Sequence, residues 1–156
     1  MKIEFLNIKG QDMFEEARQL FLEYAQSLNV DLCFQNFEEE LNSLEERYGS
    51  PDGTIIIASV DGRSAGCIAL HRLSGDICEM KRLYVRDDYR GLGIGKKLIT
   101  QILEKASELE YRSIRLDTLP TMEKAQELYE AFGFYDIEPY VYNPILGTRY
   151  LERKLG

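Results

Sequence analysis

Between residues 77 and 109 the chain runs from a strand-like stretch, Ile77–Val85, through Arg90-Gly91-Leu92-Gly93-Ile94-Gly95-Lys96-Lys97 into an apolar helical face made by Ile94, Leu98, Ile99, Ile102, Leu103, Ala106 and Leu109. This is the segment that most narrows what the chain can fold into. Glycines at alternating positions let the backbone approach a ligand closely, and a helix start offers unpaired N–H groups and a positive dipole end. The pattern predicts a strand–turn–helix unit suited to a phosphate or pyrophosphate. Between residues 81 and 97, six basic residues (Lys81, Arg82, Arg86, Arg90, Lys96, Lys97) against Asp87 and Asp88 give a local charge of +4. The whole chain, with 19 basic and 27 acidic residues, carries −8. That sign disfavours DNA, RNA and anionic lipid as general partners.

Two familiar phosphate loops do not fit. A P-loop needs Gly at 90 and Ser or Thr at 97, where the chain has Arg90 and Lys97. A dinucleotide fingerprint counted from Gly91 or from Gly93 meets Lys96 or Leu98 where its last glycine belongs. Metal chemistry is not expected: His71 is the one histidine, and Cys33, Cys67 and Cys78 lack C-x-x-C spacing. The three cysteines are read as small apolar residues, and no adjacent histidine supports a covalent cysteine route. The longest aliphatic run, Ile55-Ile56-Ile57-Ala58, is far short of a membrane span, and the start does not read as a signal peptide. The expectation is a cytoplasmic protein.

The rest of the 156 residues reads as one domain, 1–156, with no repeat, low-complexity stretch or long linker. Met1–Ile8 alternates as a strand. Phe14, Ala17, Phe21, Tyr24 and Leu28 follow at helical spacing, opened by a capping-box-like Asp12-x-x-Glu15. Asn36 and Glu39 repeat that signal before Phe37, Leu41, Leu44 and Tyr48. Thr54–Val60, Ser64–Arg72 and Ile77–Val85, separated by Asp61-Gly62 and Ser74-Gly75-Asp76, read as three antiparallel strands. After the helix from Ile94 come a strand at Ser113–Asp117, a helix through Met122–Phe132 with Gly133 at its C-cap, and strands at Phe134–Ile137 and Arg149–Lys154. The sum is an α/β (α+β) fold, a mixed sheet with helices on both faces.

The form Arg-x-x-Gly-x-Gly, here Arg90, Gly93 and Gly95, resembles the acetyl-CoA motif of the GNAT superfamily of N-acetyltransferases. Leu128-Tyr129-x-x-x-Gly133-Phe134 resembles that family's second motif, and the order of elements matches nearly the whole chain. One departure is Met122, where many members carry Asn three residues before the helix Ala, here Ala125. The resemblance implies a mostly antiparallel central sheet. It also implies acetyl transfer from acetyl-CoA to a primary amine, directly in a ternary complex, with no metal. A non-catalytic acyl-CoA-binding module of the same fold is the alternative. Many members form homodimers.

Transfer from a thioester to an amine requires the cofactor anchored, the amine deprotonated and the departing thiolate protonated. The resemblance assigns pyrophosphate binding to Arg90, Gly91, Leu92, Gly93, Ile94, Gly95 and Lys96, and main-chain alignment of the pantetheine arm to Leu83, Tyr84 and Val85. Glu79 matches a strand glutamate that serves as base in some members; the plainer reading is a structural carboxylate paired with Lys81 or Arg82. Tyr129 matches a tyrosine near the CoA sulfur and is the candidate acid; the plainer reading is a core aromatic. Phe34, Gln35, Tyr142 and Arg149 are candidates for the acceptor cleft. Residues 11–48 hold ten acidic and two basic residues, so a cationic acceptor is expected unless those charges are solvated helix faces.

Overall fold

The computed structural model describes residues 1–28, 32 and 36–156. The β-branched run Thr54–Val60 forms strand β2, buried along its whole length because both faces of the sheet are covered there. Around it lie β1 (Ile3–Asn7), β3 (Arg63–Ser74) and β4 (Ile77–Val85), all antiparallel. β5 (Ser113–Thr118) runs parallel to β4, and β7 (Arg149–Lys154) and the two-residue β6 (Tyr135–Asp136) finish the sheet in the order β1-β2-β3-β4-β5-β7-β6. The mixed, mostly antiparallel sheet agrees with the sequence reading.

Helix α1 (Gly10–Leu28) and the short α2 (Phe37–Asn42) and α3 (Leu44–Tyr48) cover one face, where Phe21, Tyr48, Ile55 and Ile57 are packed. Helix α4 (Ile94–Glu108) and α5 (Glu123–Ala131) cover the other, packing Leu98, Ile99, Ile102 and Tyr129 onto Ile56, Ile68 and Met80. Alternation along β4 therefore sends Cys78 and Met80 toward α4, and Glu79 and Lys81 toward α1 and α3.

Two helix starts differ from expectation. Helix α1 begins at Gly10, so Asp12 lies inside the first turn, where its charge complements the dipole instead of capping. Asn36 adopts a left-handed backbone (φ 55°) and makes no side-chain cap, and the expected single helix breaks at Ser43. The Ser43 hydroxyl donates to the Glu39 carbonyl at 2.8 Å, drawing a backbone acceptor away from helix continuation.

The feature that positions the site is a bulge in β4. Ala69 pairs with Lys81 but Cys67 pairs with Tyr84, so β4 carries one extra residue, and Arg82 takes φ +62°. Pairing between β4 and β5 ends at Glu79–Arg115. Beyond it the two strands diverge and the sheet is open.

Candidate active site

The glycine turn follows β4 directly. After a short 3₁₀ turn at Asp87–Tyr89, Gly91 and Gly93 take φ of +83° and +75°, conformations that cost a Cβ-bearing residue about 1–2 kcal/mol. Gly93 is the N-cap of α4, and no side chain caps it. The first helical bond runs from the Lys97 N–H to the Gly93 carbonyl at 3.2 Å, which leaves the N–H groups of Ile94, Gly95 and Lys96 without helical partners. Ile94 is buried and Leu92 half-buried, so their side chains anchor the turn while its backbone stays available. The first turn holds no acidic residue, and Arg90, Lys96 and Lys97 are exposed beside it. This donor set fits a pyrophosphate.

The +4 cluster does not form one patch. Arg82 is buried, held by Glu40 of α2 through two bonds of 3.0 and 2.9 Å. Arg86 is held by Glu23 of α1 at 2.8 and 2.6 Å and donates to the Ser64 carbonyl. Arg90, Lys96 and Lys97 alone surround the turn. The same pairs absorb part of the acidity of residues 11–48: Glu40 and Glu23 are bound to cations, and Asp12, Glu16, Glu38, Glu39 and Glu46 are exposed. The acidic surplus is therefore a poor guide to the acceptor.

Of the three residues expected to align the pantetheine arm, two have backbone groups turned outward. The Arg86 N–H donates to Ala65 of β3 at 2.8 Å, so alternation turns Tyr84 toward β3 as well and leaves Leu83 and Val85 facing the open side. The Val85 carbonyl already accepts a long bond, 3.4 Å, from Arg90 Nε.

A small cleft, partly open to solvent, occupies the divergence between β4 and β5. It is lined from β4 by Met80, Lys81, Arg82 and Leu83, from β5 by Leu116 and Asp117, and by Tyr24, Tyr129 and Asn143 among others. Groups from both sheet faces meet here. Tyr129 is 4% exposed, and burial holds its hydroxyl well above the ordinary phenol range, so it stays protonated as an acid must. Burial, with Arg82 beside it, lowers the Lys81 ammonium.

Glu79 lies behind Lys81 and is not among the cleft-lining residues. Among the described residues its hydrogen-bond partners are His71 and Tyr140, and Lys81 acts on it through charge. His71 Nε2 meets Oε1 at 2.7 Å, and the Tyr140 hydroxyl donates to Oε2 at 2.7 Å. Burial pushes the carboxyl up, but the His71 bond, the Lys81 charge and the Tyr140 bond outweigh it and bring it down to about 2. His71 Nδ1 lies 2.9 Å from the Arg72 carbonyl, so both ring nitrogens face oxygen atoms.

Phe34, Gln35 and Cys33 lie outside the described residues. Tyr142 is 74% exposed, and Arg149 is committed to Asp136 of β6 and to Glu130 and Gln126 of α5; neither is among the cleft-lining residues. Cys67 and Cys78 are buried apolar positions, as expected, and burial pushes both thiols up, Cys78 to about 12. Sequence reasoning missed Asp117, Tyr140 and Asn143. The alternation of Ser113, Arg115 and Asp117 on one strand face was the available signal for Asp117; the two loop residues left none. Among the described residues no cluster could hold a metal ion, and no helix is long and apolar enough to cross a membrane.

A family model described as the acetyltransferase (GNAT) family matches residues 12–134. The chain is 41% identical over 148 residues to an uncharacterised N-acetyltransferase of Schizosaccharomyces pombe, covering 94% of this chain and 90% of that one. A GNAT-family acetyltransferase from Staphylococcus aureus has the same fold, with a TM-score of 0.82 at 24% identity over 99% of this chain and all of that one. A Salmonella typhimurium protein described as an acetyltransferase and solved with acetyl-CoA superposes with a TM-score of 0.70 at 12% identity, covering 99% and 94%.

Proposed function

Because the chain belongs to the acetyltransferase (GNAT) family, we propose that it moves the acetyl group of acetyl-CoA directly to a primary amine of a small molecule or peptide, both substrates being bound together. The observation that carries this reading is continuity. The uncapped start of α4 and the outward backbone of Leu83 and Val85 lead into the cleft that holds Tyr129. Backbone N–H groups from Gly91 to Lys96 hold the pyrophosphate, with Arg90 and Lys96 adding charge. Leu83 and Val85 align the pantetheine amides. Tyr129 gives its proton to the departing thiolate. Glu79, with both oxygens bonded, remains a carboxylate that orients His71 and Tyr140 and supplies negative charge behind the acceptor.

The experiment is a thermal melt with acetyl-CoA, followed by free-thiol release with a panel of amines. At a hundred times Kd, binding adds about 2.7 kcal/mol, a rise of roughly 5–10 °C at this size. No shift at millimolar acetyl-CoA overturns the site. A shift without thiol release from any amine replaces the enzyme with a non-catalytic acyl-CoA-binding module.

A further inference from the structure

We propose that Lys81 is a self-modification site: when acetyl-CoA is bound and no amine fills the cleft, the Lys81 side chain takes the acetyl group and closes the acceptor side. The inference rests on the acetyltransferase reading and adds to it a second fate for the thioester. Among the cleft-lining residues Lys81 carries the one primary amine; the other polar side chains are the hydroxyls of Tyr24 and Tyr129, the Arg82 guanidinium, the Asp117 carboxylate and the Asn143 amide. Lys81 pairs with Ala69 just before the bulge, and Leu83, whose backbone faces the open side, follows no more than about 7 Å along the strand. Lys81 approaches the cleft from the face covered by α1 and α3, and Tyr129 from the face covered by α4 and α5. A thioester led in from the glycine turn therefore has a proton donor on its own side and a built-in amine on the side an acceptor would use. The four-carbon lysine stem is flexible enough to search a cleft this small.

The surroundings make Lys81 the nucleophile of the cleft. Burial and the neighbouring Arg82 charge disfavour its ammonium form, and together they outweigh Glu79, Asp117 and Glu40, which favour it. Burial acts the other way on the Tyr24 and Tyr129 hydroxyls, which it keeps protonated. Lys96 and Lys97 are exposed beside the glycine turn and do not line the cleft. In the step, an N–H bond of the Lys81 ammonium breaks and the proton leaves to solvent. The freed lone pair attacks the thioester carbonyl carbon, an N–C bond forms and the C–S bond breaks. A second amine proton passes to solvent while Tyr129 protonates the thiolate, and solvent then resets Tyr129. The product is an amide, which has no basic lone pair and does not hand the acetyl group on. It is also uncharged, so Glu79 loses the Lys81 charge that helps to hold its carboxyl down.

The test incubates the wild-type chain with acetyl-CoA and no amine at mildly alkaline pH, and follows it by intact-protein and peptide mass spectrometry. One acetyl group should appear on Lys81 at least about tenfold faster than on Lys96 or Lys97, because the bound thioester is held beside it. The rate should saturate with acetyl-CoA and fall when excess free CoA competes for the site. The amine that wild type turns over fastest, from a panel of alkyl amines, polyamines and aminoacyl amides, should protect Lys81. Protein acetylated beforehand should turn that amine over at least about tenfold more slowly, while its stabilisation by acetyl-CoA is unchanged. Lys81→Arg should keep that stabilisation and show no rapid uptake. Acetylation spread evenly over the exposed lysines, a rate that does not saturate, or rapid uptake that survives in Lys81→Arg overturns the proposal and leaves the acetyltransferase reading standing. If acetyl-CoA does not raise the Tm of wild type, both fall.

Discussion

A buried ion pair holds the bulged residue of β4, Arg82, and Glu40→Gln tests how much it contributes. The Glu40 side chain is 0% exposed and that of Arg82 2%. The carboxylate makes two bonds to Arg82, with Arg47 3.5 Å away, and the guanidinium lies against the rings of Phe37 and Tyr24. Removing one partner of a buried pair costs about 3–5 kcal/mol, because the remaining charge keeps its desolvation penalty. The amide of Gln retains one acceptor, so the lower end applies, about 3 kcal/mol or a fall in Tm of roughly 6–12 °C. Urea denaturation of wild type, Glu40→Gln, Arg82→Met and the double variant Glu40→Leu/Arg82→Met would measure it. The double variant should recover most of the loss, since apolar replacement of a buried pair is often neutral. Arg82 also outweighs burial and holds the Glu40 carboxyl below its ordinary value. A folded pKa below the unfolded one contributes stability that is present above the unfolded value and lost as pH falls through the folded one. The gap between wild type and Glu40→Gln should therefore close on acidification. A deficit under about 1 kcal/mol at pH 7, or one that does not change with pH, would refute the reasoning.

Gly95→Ala adds a Cβ at 3.7 Å from Leu128 and 3.9 Å from Val85, ordinary contacts, and gains helix propensity. Its Tm by calorimetry should hold or rise while affinity for acetyl-CoA falls, whereas Gly93→Ala, at φ +75°, should lose about 1–2 kcal/mol before any ligand is added. Tyr129→Phe under saturating acetyl-CoA should lower kcat at least about tenfold and leave the Kd for acetyl-CoA unchanged; wild-type turnover would return Tyr129 to the core. For Glu79, a carboxyl lowered from 4.5 to about 2 contributes on the order of 3 kcal/mol above pH 4.5, lost progressively toward pH 2. Glu79→Gln should flatten that part of the acid-unfolding curve, followed by circular dichroism.

The strands from Thr54 to Val85 and the helix from Ile94 were legible because binary pattern and turn residues agreed there, with Asp61-Gly62 and Gly75 at the turns and Gly93 at the helix start. The pyrophosphate site was legible for the same reason, being built from contiguous backbone. The acceptor side was not, since it is assembled by register. Asp117 and Lys81 line one cleft because β4 and β5 stop pairing two residues before Asp117, and Tyr140 reaches Glu79 from 61 residues away. The sequence-local charge count misled for the same reason: Arg82 and Arg86 look like neighbours of the glycine turn until Glu40 and Glu23 arrive from other helices.

A fully paired sheet is a wall, and molecules on its two sides do not meet. The early end of the β4–β5 ladder makes a slot in that wall. On the proposed reading, the thioester comes to the slot from the α4 side and the amine from the α1 side, each along its own corridor. The exits are then separate as well. After transfer the thiol and the amide can each back out the way their precursors came in, and neither has to wait for the other to clear the passage.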